Sequence, residues 1–178
     1  VFDRHENKLY LCRDRLGEKP LYYGWVSSRF LFSSELKAFK CVPSWSGKID
    51  IDALSLYLKY GYIPEPYSIY NGIYKLESGH YLSIDLNNFN RNIDINNYKT
   101  CYWSVANIVN KHSYELNGFS DNDVVDAFEH LLIDSIKNQM VSDVPLGAFL
   151  SGGIDSSTVV ALMQSISDKP VQTFTIGF

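Results

Sequence analysis

Apolar and polar positions change rhythm along this chain. Residues 8–13, 21–25 and 29–33 are short runs rich in aromatic and aliphatic side chains. They are separated by the polar turn 14–20, with its Gly and Pro, and by Val26-Ser27-Ser28. That grammar predicts an antiparallel meander. Residues 34–39 predict a short helix capped by Ser33 or Ser34. Residues 52–60 predict another, capped by Asp50 or Asp52, with Leu54, Tyr57 and Leu58 on one face and Gly61 as its stop. Pro64 and Pro66 hold the next stretch extended. Two further strands, 73–76 and 80–85, flank a Glu77-Ser78-Gly79 turn. The asparagine-rich stretch 87–97 predicts a solvated loop or hairpin tip. Tyr102-Trp103 anchors the chain after it, and 104–120 reads as a linker closing on Asn117-Gly118.

The rhythm then turns helical. Ser120-Asp121-Asn122-Asp123 places acid at a helix start. Val124, Phe128, Leu131, Leu132, Ile136 and Met140 recur at helical spacing to about residue 141. This stripe is expected to be core. An apolar strand over 144–150 runs into Ser151-Gly152-Gly153-Ile154-Asp155-Ser156-Ser157, and a helix over 156–166 leaves it. Lys169-Pro170 turns the chain into a second strand, 171–176. Strand, helix, strand implies a right-handed crossover and a parallel sheet. Ligands in such sheets sit beyond the carboxyl ends of the strands, which is where the serine–glycine loop lies.

The loop carries the candidate chemistry. Backbone amides in a glycine turn, together with a helix N-terminus, make an anion site suited to phosphate. Two adjacent glycines let the backbone approach a ligand. Ser151, Ser156 and Ser157 can add hydroxyl donors. Asp155 would be repulsive beside phosphate unless a cation lay between them, so it is a candidate Mg²⁺ contact. The loop has no lysine and is not a Walker A motif, and G-x-G-x-x-G is absent.

Composition narrows the classes. The 178 residues suggest one or two domains, and 46% apolar with 20% charged content allows a packed core. Aromatic content of 15%, with 13 Tyr, favours sheets. A net charge of −4 argues against a nucleic-acid partner. Three scattered cysteines, Cys12, Cys41 and Cys101, suggest a reducing, cytoplasmic setting without disulfides or zinc. No apolar run of ~18 residues is present, so no membrane span is expected, and no signal peptide is visible. The opening on Val1 and the stop at Phe178 suggest an internal fragment. Arg13, Asp14 and Arg15 read as a salt-linked turn, Glu35 and Lys37 as scaffold, and Asp143 as a turn or cap. His5, His80, His112 and His130 lack metal spacing.

Ser151–Ser157 resembles the pyrophosphate loop of the N-type ATP pyrophosphatases. Four stretches together carry a closer resemblance, to the glutamine-hydrolysing asparagine synthetase family. They are 13–23; 32–38; 61–64 with 73–76 and 79–82; and 143–147 with 150–157. The resemblance implies a partial α+β N-terminal-nucleophile glutaminase domain of mostly antiparallel sheets over 1–103. A linker over 104–120 and a partial α/β ATP-pyrophosphatase domain with a parallel sheet over 121–178 would follow. It implies ATP and Mg²⁺ as cofactors, glutamine and aspartate as substrates, and leaves a homodimer open. Family members attack glutamine with an N-terminal cysteine, a role that Cys12, Cys41 and Cys101 do not inherit. ATP and aspartate then form β-aspartyl-AMP, which ammonia converts to asparagine. The ATP-binding residues it implies are Leu150, Ser151, Gly152, Gly153, Asp155, Ser156, Ser157 and Ile176, with Asp155 reaching Mg²⁺ through pyrophosphate. The alternatives are a related amidotransferase acting on a sugar acid or β-lactam precursor, or a non-catalytic nucleotide-binding module. The chain alone is expected to be inactive.

Overall fold

Period-2 alternation sets the first core. The computed structural model describes residues 1–90, 94–112 and 118–177. It divides into two compact units, Val1–His112 and Ser113–Phe178. In the first, β1 (Phe2–Asp3), β2 (Lys8–Cys12), β3 (Tyr22–Val26) and β4 (Arg29–Ser33) are followed by a 3₁₀ turn, Leu36–Cys41. Helix α1 (Ile51–Tyr60), β5 (Ile73–Lys75), β6 (His80–Asp85), a second 3₁₀ turn (Ile95–Tyr98), β7 (Lys99–Cys101) and α2 (Val105–His112) complete it. One antiparallel sheet has the order β1-β2-β6-β7, the other β4-β3-β5. Leu11 lies opposite Leu82 and Leu9 opposite Ile84, and these meet Tyr23 and Phe30 from the other sheet and Leu76 just past β5. The opposite parity of β3 and β5 presents Val26 and Ile73 to Phe39, Trp45 and Tyr70. The smaller sheet is therefore packed on both faces.

Arg13 pins the edge of this sandwich. Its side chain is 7% exposed. It donates to the carbonyls of Lys19 (3.0 Å), Leu76 (2.6 Å) and Gly17 (2.8 Å) and pairs with Glu65. The second Glu65 oxygen accepts the Ser78 amide at 3.0 Å. Asp14 accepts the amides of Leu16, Glu18 and Lys19. Partial desolvation opposes its charge, but the amides of Glu18, Lys19, Gly17 and Leu16 outweigh that and hold its carboxyl below the ordinary range. Residues 13–15 thus begin a tied turn.

Several expectations need correction. β1 was not foreseen. The 34–39 helix is a 3₁₀ turn starting after Glu35, and Ser33 accepts the Glu35 amide from outside it at 3.2 Å. Asp50 caps α1 through the Ala53 amide, and Gly61 ends it in a left-handed conformation. The expected apolar face of α1 is not buried: Ala53 is, whereas Tyr57 and Leu58 are exposed. The chain before α1 anchors it, through pairing of Ile49 with Tyr70. The asparagine-rich stretch is more than a solvated loop. Phe89 stacks on Trp25 at 5.0 Å and meets Phe30 and Tyr98 edge-on, while Ile95 packs on the core. Residues 91–93 of it lie outside the described residues. Helix α2 occupies part of the stretch expected as a linker, its start capped by Ser104. Asn117 lies outside the described residues.

The second unit contains α3 (Asp121–Gln139), β8 (Gly147–Phe149), α4 (Ile154–Ser165) and β9 (Gln172–Phe174). A capping box opens α3: Ser120 accepts the Asp123 amide, and Asp123 accepts the Ser120 amide. β8 and β9 are parallel, with Phe149 opposite Phe174, as the crossover requires. Both are shorter than expected, because regular pairing stops before the loop. α3 packs on α4, and Ile136 and Met163 are buried. The rest of the α3 stripe is not core: Phe128 is 60% exposed and Leu131 70%. A parallel pair needs cover on both faces, and the described residues of this unit supply one helical layer. Among the described residues no helix is long and apolar enough to cross a membrane.

Candidate functional site

The site is built where β8 ends and α4 begins. Leu150 still pairs with β9, its amide donating to the Phe174 carbonyl at 2.9 Å. Gly152 then turns the chain with φ +82°, a conformation that L side chains rarely adopt. Gly153 is the N-cap of α4, with φ −77° and ψ 161°. A Cβ there would meet only the Ser151 hydroxyl, at 3.6 Å. The two glycines therefore differ. Gly152 is required by the backbone, whereas Gly153 has no torsional reason to be glycine. What remains for Gly153 is close approach of a ligand.

Ser156 braces the loop from inside. Its hydroxyl accepts the Ser151 amide at 3.3 Å, lies 3.0 Å from the Ser151 hydroxyl and donates to the Gly153 carbonyl at 3.1 Å. One donor and two acceptor positions are all a serine has, so Ser156 is fully used. Two of the three hydroxyls expected to face a ligand are thus turned on each other, together with the Ser151 amide. Ser157 is exposed at the helix start and its amide already bonds the Gly153 carbonyl. The amides of Ile154, Asp155 and Ser156 lie in the first helical turn, where no intrahelical acceptor exists. Together with the partial positive charge of the helix end, these are the amides of the loop left open to an anion.

Asp155 is exposed in that same turn. No cluster of three or more His, Cys, Asp or Glu able to hold a metal ion occurs among the described residues. Asp155 would therefore offer a single carboxylate. That suits Mg²⁺ bound mainly by phosphate and water, and does not suit an all-protein cage. Ile176 is exposed just past β9. Thr175, which the sequence reading passed over, donates its hydroxyl to the Leu150 carbonyl at 2.7 Å. Its only sequence signal is a hydroxyl in register with the last residue before the loop.

Residues 1–100 match the family model described as a glutamine amidotransferase domain, and residues 127–178 that described as asparagine synthase. A Methanocaldococcus jannaschii protein, provisionally named glutamine-hydrolysing asparagine synthetase 2, is 42% identical over 100% of this chain and 33% of its own length. Glutamine-hydrolysing asparagine synthetases 2 and 3 of Bacillus subtilis are 34% and 32% identical, over 99% and 100% of this chain and 23% and 27% of their own lengths. The chain spans about a third or less of these relatives.

Proposed function

Because this chain belongs to the glutamine-hydrolysing asparagine synthetase family, we propose that the protein makes asparagine from aspartate, ATP and glutamine-derived ammonia. In this reading residues 1–103 belong to an N-terminal-nucleophile glutaminase domain and 121–178 open an ATP-pyrophosphatase domain, joined through 104–120. The expected setting is cytoplasmic.

Residues 150–157 then hold the triphosphate, with Ile176 beside the adenosine part. An oxygen of the aspartate β-carboxylate attacks the α-phosphorus. The α–β bridging P–O bond breaks, and its electron pair leaves with pyrophosphate. The open amides of the first turn of α4 and its positive end stabilise the charge that grows on that leaving group. Gly153 lets phosphate approach those amides. The hydroxyls of Ser156 and Ser151 keep the turn in shape and are spent on each other and on the backbone rather than on the ligand. Mg²⁺, which Asp155 would help hold against the phosphates, would neutralise further charge on pyrophosphate. Ammonia then attacks the acyl carbon of β-aspartyl-AMP, loses a proton, and the C–O bond to AMP breaks.

The observation that carries this reading is the glycine turn between a parallel strand and a helix N-terminus, with one carboxylate in the helix's first turn. The test is to incubate the complete gene product with glutamine, aspartate and ATP. Asparagine, AMP and pyrophosphate are expected in equal amounts. ADP in place of AMP would overturn the adenylation chemistry. Pyrophosphate release with another carboxylate, and not with aspartate, would overturn the acceptor alone.

A further inference from the structure

A regular parallel ladder has a fixed next step. A residue whose amide bonds one carbonyl of the partner strand accepts, at its own carbonyl, the amide two residues further along that strand. The Leu150 amide bonds the Phe174 carbonyl at 2.9 Å. The next bond of the ladder would run from the Ile176 amide to the Leu150 carbonyl. The regular pairing stops instead with Phe149 opposite Phe174. The Leu150 carbonyl is met by the side chain of Thr175, at 2.7 Å. Thr175 is the residue that stands in register with Leu150. A side chain has thus taken the place of a backbone donor at the position where the two strands begin to part.

We propose that Thr175 is the positioning residue of the nucleotide crevice. Its hydroxyl substitutes for the Ile176 amide, so the ladder ends one step early. This has two consequences. Leu150 is held at both its amide and its carbonyl, which fixes the direction in which the chain enters the glycine turn. The Ile176 backbone is left out of the sheet and turned over to the ligand, beyond the carboxyl ends of β8 and β9. The recognition it offers is one amide and one carbonyl beside an apolar side chain, the chemistry that fits the edge and face of a purine. The proposal rests on the ATP reading above and adds how the crevice is opened.

Valine is nearly isosteric with threonine but cannot donate. Thr175→Val leaves the Leu150 carbonyl to recruit the Ile176 amide, zipping the crevice shut by one step. Thr175→Ser keeps the hydroxyl. In the complete gene product, Thr175→Val is expected to raise the KM for ATP about tenfold, the scale of one lost hydrogen bond. Glutamine hydrolysis should stay unchanged, and Thr175→Ser should restore the KM. Hydrogen exchange read at the Ile176 amide gives a second readout that needs no turnover. Without nucleotide the amide should exchange fast in the wild type and in Thr175→Ser, and slowly in Thr175→Val. ATP should slow it in the wild type. A wild type that exchanges pyrophosphate into ATP, beside a valine variant with unchanged KM and unchanged Ile176 exchange, overturns the role of Thr175. A wild type with neither pyrophosphate exchange nor ATP-dependent protection over 150–157 overturns the ATP reading and this proposal with it.

Discussion

In the first unit Leu76, Leu82 and Ile84 have no exposed surface, and Tyr23 and Phe39 almost none. In the second, Phe128, Phe149 and Ile154 stand in water, while Ile136 and Met163 are buried. Both units carry apolar residues at the spacing their elements demand, so hydrophobic content does not explain the contrast. Topology does. Antiparallel strands return on themselves through short turns and can stack two sheets from little chain, as β1–β7 do. A parallel pair spends its connection on a crossover helix and still has a second face and two edges to cover. Stability and the candidate chemistry are accordingly divided: the closed unit holds the buried Arg13 and its partners, and the open one holds the glycine loop. All three tryptophans, Trp25, Trp45 and Trp103, lie in the first unit, so their fluorescence reports its unfolding apart from the second.

The largest effect is expected at Arg13. Arg13→Ala removes a guanidinium that is itself 7% exposed from Glu65 and from three carbonyls, which should cost the first unit about 3–5 kcal/mol. Urea unfolding followed by tryptophan fluorescence measures it, and a loss near zero would show that the clamp is not what closes this unit.

Leu82→Ala and Leu131→Ala set the units directly against each other. The first removes a fully buried side chain and should cost roughly 2–5 kcal/mol. The second removes one that is 70% exposed and should stay within about 0.5 kcal/mol in this chain by helical circular dichroism. Equal losses would break the comparison.

Within the open unit the two glycines should separate stability from binding. Gly152→Ala forces a side chain to φ +82° and should destabilise by about 1–2 kcal/mol. Gly153→Ala should leave thermal unfolding unchanged while weakening ATP binding by calorimetry in the complete gene product. A Gly153→Ala protein that binds ATP normally would remove the close-approach argument.

Ser120→Ala deletes the side-chain half of the α3 capping box and should cost about 1 kcal/mol, read as lost helicity at a given temperature.

The smallest effect is one of pH. The carboxyl of Asp14 lies below its ordinary range. Its contribution is therefore complete above the unfolded carboxylate pKa of about 3.9 and is lost as pH falls through the lower folded value. Asp14→Asn should flatten the acid limb of the tryptophan-monitored stability curve and leave the neutral limb parallel to the wild type. An unaltered acid limb would assign that pH dependence to other carboxylates.

The strands and helices were largely legible in the sequence because period-2 and helical spacing are local signals: β2, β3, β4, β6, α3, α4 and the parallel crossover all follow from them. The glycine turn was legible too, since Gly152 and Gly153 stand at fixed short spacing between an apolar strand and a helix start. What the tertiary structure decided lies in contacts between residues far apart in the chain. Phe89 became core by reaching Trp25, which nothing in an asparagine-rich stretch announces. Arg13 became a buried clamp because Glu65 and the Leu76 carbonyl arrive beside it from the far side of α1. Ser156 turned inward because the glycine turn brings Ser151 back over it. Thr175 met Leu150 only through the register of two parallel strands joined by a helix. Spacing along a chain fixes which face a side chain occupies, but the partner on that face is chosen by the packing of distant segments.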